Sequence, residues 1–181
     1  MTSPVSLVQR LDARDRALFG RWVLNEFSPR SRMRLWRTLT HVGGARATIA
    51  AVLLPLMSTS TALRSAALLA TIALGLSHAI VRVVKRLCTR ARPTVSLQTG
   101  AHVDVPDCFS FPSGHACAAM SVAMAYAMVF PSVAAPVTVL AALVGFSRVR
   151  LGVHYPGDVL VGQLIAAITV LGIVALIPGF R

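Results

Sequence analysis

Between residues 116 and 147 the chain carries no charged side chain, and no other feature restricts its fold as much. At the ~1.5 Å rise of an α-helix this run extends about 48 Å, too long for one crossing of a ~30 Å hydrocarbon layer and suited to two. Pro131 and Pro136 mark the break between them. Residues 47–57, 66–81 and 159–180 are also apolar or nearly so. The first is short and reaches spanning length only when extended back through Val42, Gly43 and Gly44, with Arg46 at the interface. With 55% hydrophobic residues and a mean hydropathy of +0.70, the bilayer is the natural solvent for this chain. The expectation is an all-α, multi-pass transmembrane bundle of about five spans forming one domain over residues 1–181. Residues 1–40 form its amphipathic, basic N-terminal region and residues 41–181 the bundle.

Within that N-terminal region, Leu18, Phe19, Trp22, Val23 and Phe27 recur at helical spacing with Arg14, Arg16 and Arg21 among them. This predicts a helix lying in the interface, or a degenerate sixth span. Arg30, Arg32, Arg34 and Arg37 with Trp36 read as a basic connector that meets headgroups. No apolar core of a cleavable signal peptide precedes these residues.

The polar remainder is strongly basic, with 18 Lys plus Arg against 6 Asp plus Glu, so anionic partners are expected. Few aromatics are interleaved with the basic residues of a chain mostly in lipid, which favours phosphate-bearing lipids over nucleic acid. Cys88, Cys108 and Cys117 are too few and too irregularly spaced for a disulfide framework or a zinc site. Cys88 and Cys108 flank one polar segment and can pair if it meets an oxidising space, although two free thiols are the favoured reading.

Five spans carry a further consequence. The end of the second, the start of the third, the end of the fourth and the start of the fifth share one membrane face. Three polar clusters meet there. Lys85, Arg90, Arg92 and Pro93 follow the second span, and as fork and point charge Arg92 and Lys85 suit phosphate oxygens, or else serve as headgroup anchors. Pro112, Ser113, Gly114 and His115 lead into the third span, where first-turn N–H groups and a hydroxyl can cradle an anion; the bland reading of Ser113 is a helix cap. Ser147, Arg148, His154 and Asp158 lie between the fourth and fifth spans. Asp158 can hold one ring nitrogen of His154 and leave the other free to attack phosphorus.

These residues resemble the type 2 phosphatidic acid phosphatase family, whose site also occurs in vanadium haloperoxidases and some bacterial acid phosphatases. Lys85 with Arg92-Pro93, Pro112 to His115, and Ser147-Arg148 with His154 and Asp158 match its three motifs in order. The resemblance implies a phosphohistidine on His154, with His115 protonating the departing lipid oxygen and later activating water. It implies that Lys85, Arg92, Ser113, Gly114 and Arg148 hold the phosphate, with no metal ion and no cofactor. A vanadium-dependent oxidase and a noncatalytic lipid-binding or transport protein are the competing classes.

Family members of this size act on phosphatidylglycerophosphate, phosphatidate, undecaprenyl diphosphate, lipid A or other isoprenoid phosphates. The residues do not choose among them; undecaprenyl diphosphate is the leading specific alternative. Oligomeric state stays open. The arginines on the active face point to the cytoplasm by the positive-inside rule, whereas the resemblance points to the outer side of the cell, or inner, membrane. His78, inside the second span, is read either as functional or as an imidazole bonded between helices. Arg90, Arg150, Asp104 and Asp107 are read as headgroup selectors or as solvated loop charges. His41 and His102 carry no expectation.

Overall fold

The computed structural model describes residues 7–25, 27–97, 100, 102–103 and 107–180, with residues 7 and 8 as backbone only. The described residues form α1 (Leu7–Trp22), α2 (Arg30–Val42), α3 (Ala45–Leu53), α4 (Thr61–Leu87), the single turn α5 (Pro93–Ser96), α6 (Gly114–Val129), α7 (Ala134–Arg150) and α8 (Pro156–Leu176). This is a helical membrane bundle. Three elements are long and apolar enough to cross a bilayer: α4, α8, and α7 with the turn before it, Pro131–Arg150. Helix α2 and the segment Ala45–Met57 reach that standard only as a pair bent by 43°, and α6 is apolar but 16 residues long. All five apolar stretches of the sequence therefore become helix, although the first two-glycine junction does not continue straight. A Cβ on Gly43 would lie 2.3 Å from Val144 Cγ1 and 3.2 Å from the His115 carbonyl oxygen. The bend there brings α2 and α3 against α7 and α6, and only glycine leaves that space.

Helix ends follow local chemistry. Ser60 caps α4 through the Leu63 N–H at 3.4 Å. Pro131 opens the turn before α7, and Pro136 sits in the first turn of α7, where its missing N–H costs nothing. Pro156 occupies the first position of α8.

Helix α6 lies between α4, α7 and α8 and packs against all three. Its inward face is almost entirely small: Ala116, Ala118, Ala119, Ala123, Ala125 and Ala127 are buried. In hydrocarbon the hydrophobic effect does not drive helices together, so close van der Waals approach and interhelical hydrogen bonds must do so. Ser77 on α4 bonds Ser121 on α6 at 2.8 Å, and the Tyr126 hydroxyl donates to the Ala51 carbonyl at 2.8 Å. Gly162 lets α8 approach the loop before α6, since a Cβ there would stand 2.5 Å from the Ser113 carbonyl oxygen. Outward rows such as Leu68, Ile72, Leu76 and Ile80 on α4, and Leu160, Leu164, Ile168 and Leu171 on α8, are exposed. In a bilayer these rows face lipid.

Helix α1 is not among the segments long and apolar enough to cross. It buries Phe19 edge-on against Tyr155, ring centroids 5.3 Å apart, and leaves Leu11, Leu18 and Trp22 exposed. The segment read from the sequence as a basic connector is the helix α2, with Arg30, Arg32, Arg34 and Arg37 exposed on it.

Candidate active site

The C-terminal ends of α4 and α7, the N-terminal end of α6, the junction of α2 with α3 and the loop before α8 come together around a cavity of about 290 Å³. Lys85, Arg92, Gly114, His115, Arg148 and His154 line it, joined by His78 and Arg82 from α4. Ser113 and Asp158 stand behind this wall, both fully buried. The Ser113 hydroxyl caps α6 by accepting the Ala116 N–H at 3.5 Å, and the Ser113 N–H donates to the Asp158 carbonyl at 2.9 Å. What the α6 terminus offers the cavity is therefore backbone at Gly114, where first-turn N–H groups have no acceptor within the helix.

His154 lies in the α7–α8 loop. Gly152 turns that loop at φ +80°, a conformation natural to glycine. The Val153 and His154 N–H groups then both reach the Arg148 carbonyl, at 3.1 and 3.3 Å. The imidazole is thereby held with Nε2 toward the cavity, 3.2 Å from Arg92 Nη1. A guanidinium only donates, so Nε2 presents its lone pair and the ring proton resides on Nδ1. Nδ1 faces Asp158 Oδ2 at 3.6 Å and the Ser110 hydroxyl at 3.5 Å. Ser110 itself donates a short hydrogen bond to Asp158 Oδ2. The sequence pointed to a direct contact between His154 and Asp158, and Ser110 joins them as a third partner. Burial pushes the His154 pKa down to about 4, with Arg92 adding to the effect and the Asp158 hydrogen bond opposing it. At neutral pH the ring is uncharged.

The cations differ in how fully they are occupied. Arg92, 2% exposed, donates from Nη1 to the Val153 carbonyl at 2.9 Å, from Nε to the Asp107 carbonyl at 2.8 Å and from Nη2 to Asp107 Oδ1 at 2.7 Å. Lys85 Nζ contacts both Asp107 carboxylate oxygens, at 3.1 and 3.0 Å, and the Phe109 carbonyl at 2.9 Å. Partial burial alone would raise the Asp107 pKa, but hydrogen bonds from Lys85 and Arg92 hold it below the usual carboxylate range. Among the described residues the Arg148 side chain has one hydrogen bond, Nη1 to Thr40 Oγ1 at 2.6 Å, and its buried Nε has no partner. It keeps donors for an anion in the cavity.

Thr40 and Ser110, which sequence reasoning passed over, bond Arg148 and Asp158, and Arg90, read as a headgroup selector or a solvated loop charge, is instead paired with Asp158. His78 lines the cavity with Nδ1 unpartnered among the described residues. Arg150 turns away, donating to the Trp22 carbonyl at 2.8 Å and lying over the Trp36 ring. His102 bonds the Leu24 carbonyl at 3.1 Å, and His41 is exposed. Cys88 and Cys108 carry free, exposed thiols. Asp104 lies outside the described residues. Among the described residues no three His, Cys, Asp or Glu side chains form a group that could hold a metal ion.

The family description "PAP2 superfamily" matches residues 66–181. A decaprenylphosphoryl-5-phosphoribose phosphatase of Mycobacterium tuberculosis is 40% identical over 109 residues, covering 58% of this chain and 57% of that relative. This chain thus spans little more than half the length of the curated relative it matches. Among solved structures, the PAP2-type phosphatidylglycerolphosphate phosphatase of Bacillus subtilis superposes with a TM-score of 0.70 at 26% identity, over 95% of this chain and 90% of that one. LpxE of Aquifex aeolicus gives 0.73 at 22% identity, over 88% and 94%, a likeness of fold.

Proposed function

This chain belongs to the PAP2 superfamily, and from that premise we propose that it removes phosphate from a membrane lipid through a phosphohistidine formed on His154. The observation that carries the reading is the orientation of that ring: Nδ1 faces Asp158 and Ser110, and Nε2 opens into a cavity lined by Lys85, Arg92 and Arg148. Relatives named as phosphatases of decaprenylphosphoryl-5-phosphoribose and of phosphatidylglycerolphosphate support a lipid-linked phosphate as substrate.

In the first step the Nε2 lone pair attacks phosphorus, and the bond from phosphorus to the lipid oxygen breaks. His115, acting as the general acid, gives a proton to that oxygen. In the second step His115 takes a proton from water as the water oxygen attacks the phosphohistidine; the P–N bond breaks and inorganic phosphate leaves. Lys85, Arg92, Arg148 and the Gly114 backbone hold the nonbridging oxygens, where charge builds in the pentacoordinate transition state. Ser113 contributes by capping α6 and fixing that backbone, and Asp158 by orienting His154.

The test is phosphate release by purified protein in detergent, offered phosphatidylglycerophosphate, phosphatidate and undecaprenyl diphosphate in parallel. Turnover of at least one lipid is expected, unchanged by a divalent-metal chelator and inhibited by vanadate. Absence of release from all three, or a loss on chelation that magnesium restores, defeats the proposal.

We place the site on the outer side of the cell membrane. Three of the arginines that argue for the cytoplasm are committed within the fold: Arg90 to three carboxylates, Arg92 to Asp107, and Arg148 to the interior. Such charges are poor guides to topology. Exposed Cys108 should react with a membrane-impermeant maleimide in intact cells; labelling only after permeabilisation reverses the orientation.

A further inference from the structure

A chain with six acidic residues against eighteen basic ones brings three of the six onto one arginine outside the cavity wall. Arg90 Nη1 donates to Asp158 Oδ1 at 2.7 Å and to Asp15 Oδ2 at 2.8 Å, and Nη2 donates to Asp12 Oδ1 at 2.7 Å. Its guanidinium lies over the Tyr155 ring, 4.1 Å from the centroid. Asp15 uses its other oxygen to accept the Gly157 N–H at 2.7 Å, and the Arg90 carbonyl accepts the Ser110 N–H at 2.8 Å. Asp15 thus reaches the start of α8 directly, and Asp12 is joined to it through Arg90.

Asp158 has no solvent exposure. A carboxylate in that position keeps its charge only if its oxygens are filled by donors. Oδ2 receives the Ser110 hydroxyl and the Tyr155 N–H, and faces His154; Oδ1 receives Arg90. Arg90 is the only formal positive charge within bonding distance of Asp158 among the described residues, and Asp158 and Asp15 hold its own pKa above the ordinary arginine value despite burial.

We propose that Arg90 is a positioning residue for the phosphatase reaction, fixing Asp158 and through it the His154 ring, and that α1 is the outer anchor of this arrangement through Asp12 and Asp15. The proposal rests on the reading of His154 as nucleophile. Arg90 touches neither the cavity nor the reacting atoms, so its loss acts on the rate of attack and leaves the phosphate contacts of Lys85, Arg92 and Arg148 in place.

Four proteins decide it, each assayed for kcat, KM and thermal midpoint in the same detergent: the wild type, Arg90→Gln, Arg90→Lys, and the double variant Asp12→Asn, Asp15→Asn. Arg90→Gln should lower kcat about 10- to 100-fold, the usual range for removing an outer partner of an orienting hydrogen bond, with KM within about threefold. Arg90→Lys, which keeps the charge but loses the fork, should recover part of kcat. The double variant keeps the Arg90–Asp158 pair and should lose less kcat than Arg90→Gln. Should Arg90→Gln fail to fold, the double variant and Arg90→Lys still decide, because a purely structural role lowers the midpoint and leaves kcat intact. An active wild type whose folded Arg90 and α1 variants all retain kcat overturns this proposal alone. A wild type without turnover removes the phosphatase reading, and this proposal falls with it.

Discussion

His154→Ala should lower kcat by about 10⁴-fold or more, the size of loss seen when the nucleophile of a covalent mechanism is removed. Nε2 of the neutral ring carries the lone pair and lies at the cavity, 3.2 Å from Arg92 Nη1. The neighbouring hydroxyls are committed elsewhere: Ser110 bonds Asp158 and Ser113 caps α6. Loss of turnover alone does not separate a nucleophile from a general base, so the covalent intermediate must also be sought. Rapid quenching in alkali of wild type with a ³²P-labelled lipid phosphate should trap label on protein that is stable to base and released by acid. His154→Ala should trap none. His115→Asn should still be labelled by a substrate whose leaving group needs no proton, and should release the label slowly. Turnover in His154→Ala within tenfold of wild type, or equal labelling of the two proteins, removes His154 from the role of nucleophile.

The sequence made the face of the site readable because helical spans impose parity. Once the uncharged runs are counted, Lys85, His115, Arg148 and His154 must emerge on one side, and these four line one cavity. Finer detail depended on partners that local pattern does not encode. Ser113 suits either an anion or a helix cap by its sequence position, and its hydroxyl accepts the Ala116 N–H of α6. Arg90 stands two residues before Arg92 in a run of basic residues, and nothing in that run distinguishes it. Its partners lie 75 and 78 positions away. The available signal was scarcity: Asp12 and Asp15, one helical turn apart in a chain so poor in acids, needed a reason. The break at Gly43 and Gly44 was also hidden, because it answers the approach of Val144 and the His115 backbone from other helices.

Arg148→Met should separate binding of the transition state from stability of the fold. Arg148 is 2% exposed, and among the described residues its side chain bonds only Thr40 and leaves Nε unpartnered; it shares the cavity with Arg92, another cation. A buried charge with so few acceptors destabilises the empty protein, and an apolar side chain of similar length relieves that cost. The expected thermal midpoint of Arg148→Met in anion-free detergent is therefore equal to or above that of wild type. Activity should move the other way, with kcat/KM falling about 10²- to 10³-fold, as when one donor to a developing oxyanion is lost. Vanadate links the two effects: it should raise the midpoint of the wild type by filling the donors that Arg148 holds in reserve, and raise that of the variant much less. If instead the variant melts several degrees lower without anion and keeps kcat/KM within threefold, the guanidinium serves the packing of α7 against α2. The cavity would then have to bind phosphate with Lys85, Arg92 and the Gly114 backbone alone.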